Sequence, residues 1–386
     1  MQTLIYNAGL VLPDKLLENG WLLIEDGRIA ALGEARAKPE TAGIANLLDA
    51  GGSFLLPGLI DLHCDGIERL VEPRPGVHFE LPVALAEVDH RLAACGITTE
   101  FHAIALDDNE FGTRSIDFAR ELAQALVEKP ANLVRHEFHA RFEITSAAGF
   151  EVICAMIQQR EVRLVSLMDH SPGQGQYTNE QTYRDYVKRT YQRTDSQIDQ
   201  MLQNKRLQLS KAWERIEVVT RLAREAGLAI ATHDDDTPAK VEQWPGLGVT
   251  MAEFPTTIAA ARRAHELGLA VCMGAPNVLR GKSSGGNLSG LEAVRQGICD
   301  VLCADYYPAA MLAATFKLVN LRILPLPEAV RLVTLNPARA VGLDKERGSL
   351  EAGKTADLVQ LSLNHFHLPK IERLFVAGRE KLRVSH

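Results

Sequence analysis

The chain has 386 residues, 46% of them hydrophobic and 24% charged, with a net charge of −7. The length suits one domain of about 250 residues plus a smaller one. The acidic balance gives no case for non-specific nucleic-acid binding, and no run of about eighteen apolar residues offers a membrane span.

Residues 1–56 carry short strand signals: TLIYNAGLVL, ENGWLLIEDGRIAALG and ANLLDAGG are apolar pieces broken by Asn-Gly and Asp-Gly turns. The opening MQTLIYNAGLVLPDKL lacks the basic start and long apolar core of a signal peptide. Next comes LLPGLIDLHCD, an apolar run that contains Pro57 and Gly58 and ends in His63 and Asp65. Side chains two apart on a strand share a face, so imidazole and carboxylate converge where this strand ends. Both ligate zinc or a similar divalent ion. Cys64 lies between them, and strand alternation turns it away. Alone, such a pair reads more simply as a capped turn beside a satisfied histidine.

Four later segments end in the same manner. LVRHEFHARFEI puts His139, Arg141 and Glu143 on one face, and LVSLMDHSPG ends in Asp169 and His170. LAIATHDDDTP ends in His233 followed by three aspartates, and DVLCADYYP ends in Asp305. The polar residue stands at the C-terminal end each time, which is the active-site face of a parallel barrel. Eight strand candidates, 58–63, 97–104, 133–143, 162–169, 228–233, 249–254, 269–274 and 300–305, are mostly separated by helical stretches such as PVALAEVDHRLAACG. This alternation predicts an α/β fold, a (β/α)8 TIM-like barrel over 57–344. No G-x-G-x-x-G follows an early strand, so dinucleotide binding lacks its signature.

Two connections stand out. Residues 171–227 form a charged helical insertion directly after His170. It reads as a solvated excursion, as a lid over the barrel mouth, or as a contact in a homodimer. The loop GAPNVLRGKSSGGN offers Arg280 and Lys282 among glycines and serines, either to hold phosphate or as a plain connection. Beyond 345, GSLEAGKTADLVQLSL and KIERLFVAGREKL return to the strand-turn-strand texture of the N-terminus. A small β-sandwich built jointly from 1–56 and 345–386 is expected. The six cysteines form no CxxC pair and are expected to be reduced thiols of a cytoplasmic protein.

LLPGLIDLHCD, HARFEI, LVSLMDHSPGQ, THDDDTP, EFPTT, MGAPNVLRG, ADYYPA and GKTADLV together resemble the amidohydrolase superfamily and, within it, the PhnM family of the carbon–phosphorus lyase pathway of phosphonate metabolism. The resemblance implies a diphosphatase that splits α-D-ribose 1-methylphosphonate 5-triphosphate into the 5-phosphate and pyrophosphate. It implies one or two divalent metal ions, with zinc preferred. By resemblance and spacing the ligands are His63, Asp65, Glu143, His170, His233 and Asp305, with Glu143 bridging and Asp305 the general base. Arg280, Lys282, Arg74 and Arg141 are the candidate substrate-binding cations. Gly66, Asp236, Lys282 and Ser284 depart from the family pattern, which implies an altered substrate shell. The alternative on the same metal site is hydrolysis of a C–N bond, as in a deacetylase or cyclic-amide hydrolase. A catalytically silent scaffold is the third reading, and the full ligand set argues against it.

Overall fold

A computed structural model describes residues 2–107, 115–127, 132–171, 180–191, 193–283 and 286–384. Five strands open the chain: β1 (Gln2–Val11), β2 (Leu16–Glu25), β3 (Arg28–Glu34), β4 (Asn46–Asp49) and β5 (Phe54–Pro57). Eight follow: β6 (Leu59–Cys64), β7 (Ile97–Leu106), β8 (Arg135–Glu143), β9 (Leu164–Met168), β10 (Ala229–His233), β11 (Met251–Glu253), β12 (Ala270–Gly274) and β13 (Val301–Cys303). Each lies within two or three residues of a strand expected from the sequence. Three close the chain: β14 (Leu358–Leu363), β15 (Pro369–Val376) and β16 (Arg379–Arg383).

Strands β6 to β13 pair in chain order, and every pairing is parallel. The barrel closes where β6 meets the end of β13. There Asp305 N donates to His63 O and Asp65 N donates to Asp305 O, both at 2.8 Å. Gly58 stands just before β6, and a Cβ there would collide with the Thr98 side chain of β7.

The terminal strands form a second, eight-stranded sheet in the order β16-β15-β14-β5-β1-β2-β3, with β4 on β1. β14 runs antiparallel to β5, so the two ends of the chain meet in one sheet. Its core is its own, built from Ile5, Leu10, Leu22, Ile24, Leu55, Leu358 and Phe375. Arg135 at the foot of β8 reaches Asp357 beside β14 at 2.7 Å and ties the sheet to the barrel.

Within 171–227, three long helices are described: Glu180–Tyr191, Asp195–Gln208 and Ala212–Glu225. A reciprocal cap starts the second, with Gln197 N donating to Thr194 Oγ1 and Thr194 N donating to Gln197 Oε1. Its buried face is Ile198, Leu202 and Lys205, spaced as one side of a helix. Ile198 and Leu202 pack on Tyr183 and Val187 of the preceding helix, a small core separate from the barrel's. Lys205 is the exception in that apolar row.

Candidate metal centre

The strand ends gather two triads of ligand-type side chains. The first is His63 of β6, His139 of β8 and Glu253 of β11. Glu253 Oε2 lies 3.3 Å from His63 Nδ1 and 3.8 Å from His139 Nε2. Ser166 Oγ donates to the same oxygen at 2.8 Å, and His139 Nδ1 stands 2.9 Å from Leu62 O, which directs Nε2 inward. The second triad is His170, His233 and Asp234. Asp234 Oδ2 is 3.1 Å from His233 Nδ1 and 3.9 Å from His170 Nε2. The His63 and His233 rings, 5.5 Å apart, join the triads into one centre.

This donor set fits a divalent cation. His139 Nε2, both ring nitrogens of His233, Asp234 Oδ2 and Glu253 Oε1 are buried and make no hydrogen bond. Buried polar atoms ordinarily have partners, so a cluster of such atoms marks a site for an ion. Burial pushes the His139 imidazole down to about 3, which keeps it neutral, the form that ligates. Three left-handed backbones lie at the same place. Asp234, Phe254 and Asp305 follow β10, β11 and β13 with φ of 58°, 51° and 59°. Non-glycine residues in that region are sparse and concentrate at functional sites.

The six expected ligands divide. His63 belongs to the first triad, and His170 and His233 belong to the second. Glu143 adjoins the second, with its Oε2 3.4 Å from His170 Nδ1. Asp65 and Asp305 stand outside both triads, joined by their backbones at the barrel seam. Burial pushes the Asp305 carboxyl up to about 7; repulsion from Asp65 adds to this, and Arg141 and His233 oppose it. His139, Asp234 and Glu253 complete the triads although the expected ligand set omits them. Their signal is the same polar strand ending, in HARFEI, THDDD and EFPTT.

Among the described residues, two buried cations act on the carboxylates just named. Arg141 is buried, its Nε makes no hydrogen bond, and its charge acts on Asp305. The second has no counterpart among the sequence expectations. Lys205, 3% exposed, comes from the insertion and sets its ammonium 3.2 Å from Glu143 Oε1 and 3.4 Å from Asp107 Oδ2. Burial pushes the Glu143 carboxyl up to about 7, against the pull of Lys205. Arg74, Arg280 and Lys282 are exposed and touch neither triad. Among the departures, Gly66 is buried behind Cys64, and Asp236 lines a pocket beside His233. Ser284 falls outside the described residues. Cys64 faces Asp61 and Glu100, whose buried carboxyls are both pushed up by desolvation.

A closed eight-stranded parallel barrel with histidine–carboxylate triads at its strand ends defines a metal-dependent hydrolase, and the chain belongs to the amidohydrolase family, whose model matches residues 172–382. Over 96% of its length it is 37% identical to α-D-ribose 1-methylphosphonate 5-triphosphate diphosphatase of Escherichia coli (strain K12), covering 98% of that protein. The fold matches N-acetyl-D-glucosamine-6-phosphate deacetylase from Mycobacterium smegmatis, with a TM-score of 0.63 at 19% identity over 98% of this chain and 99% of that one. It also matches a Xaa-Pro dipeptidase solved with bound methionine, with a TM-score of 0.66 at 15% identity over 98% and 99% of the two chains. No helix among the described residues is long and apolar enough to cross a membrane.

Proposed function

We propose that this chain hydrolyses α-D-ribose 1-methylphosphonate 5-triphosphate to the 5-phosphate and pyrophosphate. The observation that carries the reading is the pairing of two histidine–carboxylate triads with the buried cations Arg141 and Lys205. The full-length likeness to the E. coli diphosphatase supports it. Phosphoryl transfer needs little covalent help and much neutralisation of charge, which is what such a site offers.

A divalent ion bound by this donor set, which suits zinc, would supply an acidified water and a Lewis acid for phosphoryl oxygen. His63, His139 and Glu253 would hold one ion, and His170, His233 and Asp234 a second, with Glu143 between Lys205 and His170. Asp305 takes the proton of the attacking water as general base. Its raised carboxyl, near neutrality, suits that task. Arg141 neutralises the reacting phosphate, and Arg280 and Lys282 serve as outer cations for the anionic tail. Residues 1–56 with 345–386 act as one supporting domain, and 57–344 is the catalytic one. All six cysteines are free, which supports a reducing cytoplasm as the compartment.

The test is release of pyrophosphate from that triphosphate by purified, zinc-loaded protein, run beside a panel of N-acyl amino acids. Stoichiometric pyrophosphate release is expected. Turnover of an uncharged amide with no phosphate compound accepted overturns the reading in favour of C–N hydrolysis.

A further inference from the structure

The two triads meet at an aromatic contact. His63 of the first and His233 of the second both pack against Phe254, with ring centroids at 4.8 Å and 5.2 Å and planes crossed at 83° and 70°. The two imidazoles are themselves 5.5 Å apart, so the three centroids form a closed triangle. The phenyl is the corner with no ligating atom. Phe254 directly follows Glu253 of the first triad and packs on the buried cluster that includes Ile60, Leu62 and Met251.

The backbone alone would not choose this residue. A φ of 51° lies in the left-handed region, which favours glycine and is an outlier for a bulky side chain. Phe254 N donates to Cys272 O and Asp234 N donates to Glu253 O, both at 2.9 Å, which fixes the turns after β10 and β11 to their neighbours. A ring kept where glycine would cost less has contacts that offset the backbone. Imidazole planes need such contacts, because the torsion that sets them is broad and roughly two-fold. His139 has Leu62 O at 2.9 Å to hold its ring. Neither ring nitrogen of His233 makes a hydrogen bond, so its plane is set by packing and by Asp234 nearby.

We propose that Phe254 is a positioning residue shared by the two triads: its phenyl fixes the planes of His63 and His233 together, so that both ion sites depend on one ring. The inference rests on the triads holding ions and not on the identity of the substrate. An apolar ring there also limits water at the imidazoles and lowers the local dielectric, which strengthens their hold on an ion.

The experiment compares wild type, Phe254→Leu and Phe254→Tyr by zinc competition with a chromophoric chelator and by the visible absorption of cobalt-loaded protein. Leucine keeps apolar bulk without the ring, and tyrosine keeps the ring. Phe254→Leu should weaken both zinc equivalents about 10–100-fold, the scale for losing an outer partner of a metal ligand. It should also shift the cobalt bands, which report ligand geometry. Phe254→Tyr should recover most of the affinity and the wild-type bands. Melting separates positioning from plain packing. Zinc-free Phe254→Leu should melt close to zinc-free wild type, with the gap opening only when zinc is added. An equal gap with and without zinc makes the ring structural and overturns the proposal. Wild-type affinity and bands in Phe254→Leu, a loss confined to one equivalent, or a tyrosine variant no better than leucine overturn it as well. A wild-type protein that binds no zinc removes it together with the triads. If wild type binds zinc but releases no pyrophosphate, the reaction assignment fails, and the role of Phe254 is decided by the affinities alone.

Discussion

For Asp305, the proposed general base, surroundings matter as much as residue type. A carboxylate in water is a weak base at neutral pH, but burial beside Asp65 pushes this one up to about 7. Asp305→Asn should therefore cut turnover at least ~10²-fold, the usual scale for a lost general base, while bound metal by elemental analysis stays near wild type. Near-normal turnover would move the role to Asp65 or Glu253. Asp89 makes a different residue-scale case, because its work is structural. Burial raises its carboxyl, yet hydrogen bonds from His136, Leu133 N and Val134 N outweigh that and hold it below 3.8. A depressed carboxyl adds stability above its unfolded value and loses it as pH falls through the folded one. Asp89→Ala should thus cost about 1–3 kcal/mol in urea melts at pH 7. The gap to wild type should narrow only below about pH 4, where unfolded aspartate begins to protonate. A gap unchanged down to pH 3 would mean that the cost is packing and not charge. At this scale the sequence was most legible where a polar residue ended an apolar strand, as at His63 and His233, which the structure gathers into the triads. It was least legible at Lys205, since a lysine amid RDYVKRTYQRTDSQIDQMLQNKR looks solvated until the docked face of its helix is known.

The helix Asp195–Gln208 is held on two kinds of contact. Ile198 and Leu202 pack within the insertion, and Lys205 pairs with carboxylates at the ends of β7 and β8. Lys205→Met keeps the apolar stem but leaves Glu143 and Asp107 facing each other without the cation. Removing one partner of a buried pair costs about 3–5 kcal/mol because the remaining charge stays desolvated. Cleavage by trypsin at Arg193 and Arg206 should become at least tenfold faster in that variant, with the barrel core still resistant. Equal cleavage rates would show that apolar packing alone docks the helix. The eight barrel strands were readable because each is a short apolar run between helical periods. The insertion's helical character was also readable from its periodicity. Its docking was not, because it depends on tertiary pairing between Lys205 and residues 62 and 98 positions away in sequence.

At the scale of the whole molecule, the metal centre is also a fastening. Its triads take side chains from β6, β8, β10 and β11, with His170 just past β9, so they span much of the barrel rim. The strand and helix alternation made the barrel evident from sequence, and the glycine turns at both ends foretold a joint terminal sheet. The division into two triads was not evident, since it depends on the barrel bringing side chains of β6 and β11 together across its mouth. Buried ligands without a counter-ion are destabilising, and an ion that binds only the folded chain stabilises by mass action, by about 2.7 kcal/mol at a hundredfold excess over Kd. Dialysis against a chelator should therefore lower the melting temperature by several degrees, and zinc should restore it. The triads can then be told apart by stoichiometry. With an ion in each, His139→Ala and His233→Ala should each lose about one equivalent and retain the other. If either substitution alone empties the protein of metal, the two triads form a single site around one ion. If neither changes the content, the metal is held elsewhere and the assignment of these triads fails.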